Sequence, residues 1–118
     1  MNLGRVSSAA LMLSGIAGVL TPRRVGSALD LLAVSNRGVA ETRAGLGGTY
    51  AALGGWALLS PDPAAQAAVG MTWLGAAAVR MATLVLDRPR TDATFWAYLA
   101  AELGFGTAAL AINSRSSR

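Results

Sequence analysis

Cysteine, histidine and lysine are all missing from this chain. Without cysteine there is no disulfide, no thiol redox chemistry and no thiolate metal site. Without histidine the commonest general base and the commonest metal ligand are gone. The serines have no histidine or lysine to activate them, so triad chemistry is excluded. These absences point away from an enzyme and away from any metal or other cofactor. Charge is short as well: charged residues make up 14% of the chain, against about 25% in an ordinary soluble domain. Aromatic residues reach only 6%.

What remains is apolar and small. Hydrophobic residues make up 53%, chiefly Ala, Leu and Val, and 14 glycines accompany them. Small residues suit helices that pack in lipid, because they let backbones approach closely. The net charge is +4, and all ten basic residues are arginine. They sit mostly at the ends of apolar runs, as in membrane proteins, and form no basic tract interleaved with aromatics. Nucleic acid is therefore not an expected partner. Arginine without lysine, beside abundant Ala and Gly, fits a GC-rich bacterial genome. The expected location is the bacterial cytoplasmic (inner) membrane, with membrane lipids as the first partners.

Four apolar stretches follow one another, at about 3–20, 41–59, 64–86 and 93–112. At ~1.5 Å per residue the first covers about 27 Å, close to a hydrocarbon core of about 30 Å. Arg5 ahead of the first run resembles a signal peptide, but Thr21-Pro22-Arg23-Arg24 has no small-x-small cleavage site. The reading is an uncleaved first helix. Ala10, Ser14 and Gly18 line up as a small-residue stripe on it. Ala44, Gly48 and Ala52, and also Gly47, Ala51 and Gly55, do so in the second stretch.

Between these two stretches the pattern turns amphipathic. Thr21 as N-cap and Pro22 at the first helical position predict a helix start. Arg23, Ser27, Asp30 and Arg37 fall on one face, with Val25, Ala28, Leu29 and Leu32 on another. The expected fold is therefore all-α: one domain over 1–118, an integral membrane four-helix bundle with a short amphipathic interfacial helix between helices 1 and 2. Asp62 and Pro63 start the third helix, Pro89 ends it, Thr91 or Asp92 caps the fourth, and the polar tail 113–118 frays. Arg23, Arg24, Arg37, Arg88 and Arg90 share one side, which the positive-inside rule makes cytoplasmic.

Two charges lie in the interior of the apolar stretches, away from their ends. Glu102 is about ten residues into the fourth, roughly 14 Å deep, where a carboxylate is costly unless paired or hydrated. Arg80 lies about 9 Å from the same side on the third. Helices joined by a short turn pack together, so an Arg80–Glu102 ion pair is predicted. Asp87 is one heptad after Arg80 and competes for it. Glu41 and Arg43 open the second helix on that side, and Tyr50 is one heptad after Arg43. With Tyr98, the candidate polar cluster is Glu41, Arg43, Tyr50, Arg80, Asp87, Tyr98 and Glu102. A purely structural ion pair is the competing reading of it.

The order Glu41-x-Arg43, Gly47-Gly48, Arg80 and Ala101-Glu102-Leu103 resembles the small bacterial membrane family called domain of unknown function 4345. That family is itself similar to the DoxX-type four-helix membrane proteins. The resemblance covers roughly residues 40–112. It implies four spans and a shared Glu41/Arg43/Arg80/Glu102 cluster, and it assigns no activity. The expected function is a non-enzymatic membrane bundle whose cluster binds a small hydrophobic molecule or lipid. Two rivals are an accessory subunit that packs on a membrane protein partner or in a homo-oligomer, and a small proton-coupled transporter using Glu102.

Overall fold

The structure, a computed structural model, describes the backbone of residues 2–116 and the side chains of residues 2–111. Every regular element among the described residues is helical. The order is α1 (Leu3–Leu20), α2 (Pro22–Ala28), α3 (Asn36–Thr42), a π-helical segment (Arg43–Gly48), α4 (Thr49–Leu59), α5 (Pro63–Leu86) and α6 (Ala93–Ser116). The α3, π and α4 pieces run on as one continuous helix. Among the described residues, two helices, Leu3–Leu20 and Pro63–Leu86, are long and apolar enough to cross a membrane. In the second long stretch Arg37, Glu41 and Arg43 lie in the first turns, and in α6 Glu102 lies within the apolar run.

Local chemistry sets most boundaries. Asn2 accepts a hydrogen bond from the Arg5 backbone and caps α1. Asp62 accepts from the Ala64 amide at 2.9 Å with Pro63 next to it, as expected for a capped start. Asp92 does the same for α6 through the Phe95 amide. Beyond Leu86, Asp87 closes α5 and Arg88 turns to φ 47° ahead of Pro89. The α6 helix continues past the expected end at Ile112 as far as Ser116. No Gly or Pro follows Gly106 to stop it. Of the tail expected to fray, residues 117–118 lie outside the described residues.

The segment between the first two long helices departs from the expectation. Thr21 makes no side-chain cap for α2; its hydroxyl donates instead to the Ala17 carbonyl at 2.8 Å. In place of one amphipathic helix, α2 stops at Ala28. The Leu31 amide bonds back to Gly26 and the Asp30 amide to Ser27, with Asp30 at φ 57°. This is a Schellman closure with Asp in the left-handed position usually held by Gly. A side chain at Gly26 would collide with the Leu31 carbonyl. The second long helix then begins at Asn36, capped by Ser35, and not at Glu41. Arg37 therefore belongs to that helix.

Packing is organised around α1, which lies along the π segment and α4, and against α6, while α5 and α6 form the most extensive interface. The α1–α4 contact is backbone against backbone. A Cβ on Gly54 would sit 2.5 Å from the Met12 amide, and one on Gly18 would sit 2.6 Å from the Leu46 carbonyl. Gly15 is pressed against the Ala51 amide, and Gly47 against Val19. The stripe in use is thus Gly15 and Gly18 on α1 against Gly47, Ala51 and Gly54. Of the predicted stripes, Gly47 and Ala51 of one and Gly18 of another are in use, whereas Ser14, Ala44, Gly48 and Ala52 are exposed. The small apolar core is Leu11, Ala57, Ala65 and Val69, with Tyr50, Leu53 and Trp73 packed on it.

Candidate functional site: a buried ion pair between two cavities

The short connection between α5 and α6 brings Arg80 and Glu102 face to face. Arg80 Nε donates to Glu102 Oε1 at 2.5 Å. Glu102 is 2% exposed, among the most buried polar residues of the chain, and the Arg80 side chain is 24% exposed. The guanidinium also lies over two aromatic rings of α6, 5.3 Å from the Phe95 centroid and 5.6 Å from that of Tyr98. Aromatic faces attract a cation, so Arg80 is held from two sides. Behind it the Thr83 hydroxyl donates to the Arg80 carbonyl at 2.6 Å.

Only one of the two Glu102 oxygens is matched. Oε2 is buried and has no hydrogen-bond partner among the described residues. An unmatched buried acceptor is costly, since it loses water and gains nothing in exchange. Glu102 lines a cavity of about 120 Å³, together with Arg80, Tyr50, Tyr98 and Ser14. The remaining walls are apolar, chiefly Leu11, Leu29, Leu46 and Trp73. The Trp73 ring is fixed by an indole N–H donated to the Ser7 carbonyl at 3.3 Å and by Phe105 at a centroid distance of 5.4 Å. The Ser7 hydroxyl in turn donates to the Phe105 carbonyl at 2.9 Å, so α1, α5 and α6 are tied together beside this cavity.

A second, open cavity of about 660 Å³ lies on the other side of the pair. It is lined by Arg80, Thr83 and Asp87 of the α5 end, Arg90 and Asp92 of the turn, and Asp30 of the α2 closure. Leu29, Arg80 and Tyr98 line both cavities. These three residues are shared by the small chamber and the wide mouth.

Of the seven predicted cluster residues, the structure brings four together: Tyr50, Arg80, Tyr98 and Glu102 surround the inner cavity. Asp87 lines the outer one and makes no ion pair with Arg80. Glu41 and Arg43 lie elsewhere. Glu41 pairs with Arg37 at 2.9 Å on the exposed face of α3. Arg43 donates to the Val19 carbonyl at the end of α1. The reason is the π segment, which starts at Arg43. A heptad keeps two residues on one face only at 3.6 residues per turn, and a π turn is wider. Arg43 and Tyr50 therefore fall on different faces, and Glu41, two residues before Arg43, points to another side again.

Sequence reasoning missed Trp73, Thr72, Val25 of α2 and Leu29 just after it. For Trp73 a signal existed: it is one heptad before Arg80 on the uninterrupted α5. Nothing in the pattern pointed to Val25 and Leu29, because their position depends on the turn at Asp30. No family model, curated protein or solved structure matches the chain.

Proposed function

We propose that this chain is an integral membrane four-helix bundle, of the bacterial cytoplasmic membrane, that binds a small lipid-soluble molecule through Glu102. The observation that carries the reading is the unmatched Oε2 of the buried Glu102, a residue that lines a small chamber. Arg80 already occupies Oε1, so the free oxygen selects a hydrogen-bond donor, a hydroxyl or amine. At about 30 Å³ per water, the chamber holds roughly four waters. It suits a head group, with the apolar remainder of the ligand lying toward Leu29 and the outer mouth. The four-span fold is supported by where the large apolar side chains go. Leu59, Leu86 and Val85 are 88%, 78% and 76% exposed while Glu102 is inside. Water disfavours that distribution and lipid favours it. The resemblance to the domain of unknown function 4345 family, carried by Glu41, Arg43, Gly47-Gly48, Arg80 and Glu102, belongs to this proposal.

Trp73 beside Glu102 supplies the test. Medium-chain aliphatic alcohols and amines are titrated into the detergent-solubilised protein while tryptophan fluorescence is followed. Saturable quenching or shift is expected for the native chain and its loss for Trp73→Phe. Glu102→Leu removes the acceptor and is expected to weaken binding of the donor head by tenfold or more, at about 1.5–3 kcal/mol for a bond to a charged group. Equal binding by alkanes of the same length, or an unaffected Glu102→Leu variant, contradicts the reading. The accessory-subunit reading draws on the exposed small-residue face of Ala44, Gly48 and Ala52. It predicts co-purifying membrane subunits.

A further inference from the structure

Arg43, which the polar cluster does not use, lines a third cavity of about 300 Å³ at the α1–α2 corner. Arg23 and Arg24 line the same cavity, with Leu20, Thr21 and Val39. No acidic side chain is among the lining residues. Of the nearby acids, Glu41 is engaged by Arg37, and Asp30 lines the outer cavity and pairs with none of these three arginines. Neither Arg23 nor Arg24 has an ion-pair partner among the described residues. Arg43 is anchored, because one Nη donates to the Val19 carbonyl in the last turn of α1. That carbonyl has no partner inside its own helix. A guanidinium carries five N–H donors, so the bond to Val19 leaves others for a ligand.

Three guanidinium groups around one open cavity, uncompensated by any carboxylate, form a site for a tetrahedral oxyanion. Arginine forks match phosphate oxygens in geometry as well as in charge. The apolar part of the rim gives the site a second character. Leu20 is 70% exposed at the end of an apolar helix, next to Val39. A free ion has no use for that surface, but an acyl chain does. We infer that this corner binds a phosphate-bearing anion, namely the headgroup phosphate of an anionic phospholipid. Arg23, Arg24 and Arg43 surround the phosphate, and Leu20 and Val39 meet the first part of the acyl chain. Such a site also fixes the depth of the α1–α2 corner at the membrane surface, where arginines attract anionic leaflets.

The test uses the full chain in mixed micelles of phosphatidylglycerol and phosphatidylcholine in equal parts, with retained lipid read by native mass spectrometry. Phosphatidylglycerol is expected to be retained in preference. The Arg23→Ala/Arg24→Ala variant is expected to cut that preference roughly tenfold or more. Both side chains are exposed, so the variant keeps its fold, which a melting curve checks. Arg43 is left in place because it also supports α1. Millimolar inorganic phosphate separates the two sources of the anion. Undiminished lipid retention assigns the site to the lipid, whereas displacement with retained phosphate assigns the same arginine chemistry to the free ion. Equal retention of both lipids by the native chain, or an unchanged preference in the double variant, overturns the inference. Glu102→Gln is expected to leave this retention as it is, which separates the corner from the chamber at Arg80.

Discussion

Glu102 and Arg80 are worth more as a pair than either is alone. Removing one partner leaves the other buried without a match, at a cost of about 3–5 kcal/mol, whereas removing both together costs far less. Arg80→Ala is therefore expected to destabilise the protein more than Arg80→Ala combined with Glu102→Ala. Unfolding in detergent checks this, and additive losses would show that the two do not interact. The pair was legible in the sequence because both residues lie on unbroken helices joined by a short turn. There depth can be counted from the ends at a constant rise. Asp87 was not legible in the same way: it lies at the helix end, where Arg88 turns to positive φ and the α5 face is lost. Tyr50 and Tyr98 were reached by sound spacing in one case and by chance in the other. Tyr98 shares a regular helical face with Glu102, while Tyr50 was reached from Arg43 across the π segment.

Helix by helix, glycine decides what is tolerated. At Gly15 and Gly54 the neighbouring backbone is already in contact. Gly54→Val is expected to push α1 and α4 apart and to cost 3 kcal/mol or more, at or above the upper end of ordinary overpacking at about 1–3 kcal/mol. At Gly45, Gly75 and Gly104 nothing lies within 4 Å of an added Cβ. Alanine there is expected to leave stability unchanged or raise it by up to about 1 kcal/mol, since Ala is the better helix former. Melting of the two sets in one detergent checks both directions. Small residues occupy so much of α1 that the sequence offered several possible stripes. Ser7, Ser8, Ala10, Ser14, Gly15 and Gly18 all qualify, and only the partner helix selects among them. The π segment at Arg43–Gly48 was invisible for a related reason. Its Gly-rich run permits several helical pitches, and packing against Gly18 and Val19 chooses one. The Ser35 cap and the Schellman closure at Asp30, by contrast, follow from side chains and turns whose signals are weak in a sequence that lacks Gly at the closing position.

Over the whole molecule, many large apolar side chains lie on the surface while a few polar ones lie inside. Ser7, Ser8 and Glu102 are buried, while Val34, Leu59, Met71, Val79 and Leu86 face outward. The core that remains is small and rich in alanine. In water such a surface would drive association; in lipid it costs nothing and every helical backbone group is satisfied internally. The helical class and the four long stretches were legible from composition and run length alone. The missing native cysteine makes the surrounding medium directly measurable. Single cysteines placed at Met71, Val79 and, as an aqueous reference, Asp62 report whether each position meets water. Cells or vesicles are treated with a membrane-impermeant maleimide on either side, and again after denaturation. Asp62→Cys is expected to react from one side in the native protein. Met71→Cys and Val79→Cys are expected to stay unlabelled from both sides until the protein is denatured. Rapid labelling of Val79→Cys in the native protein, at the rate of the Asp62→Cys reference, would contradict the lipid-embedded bundle.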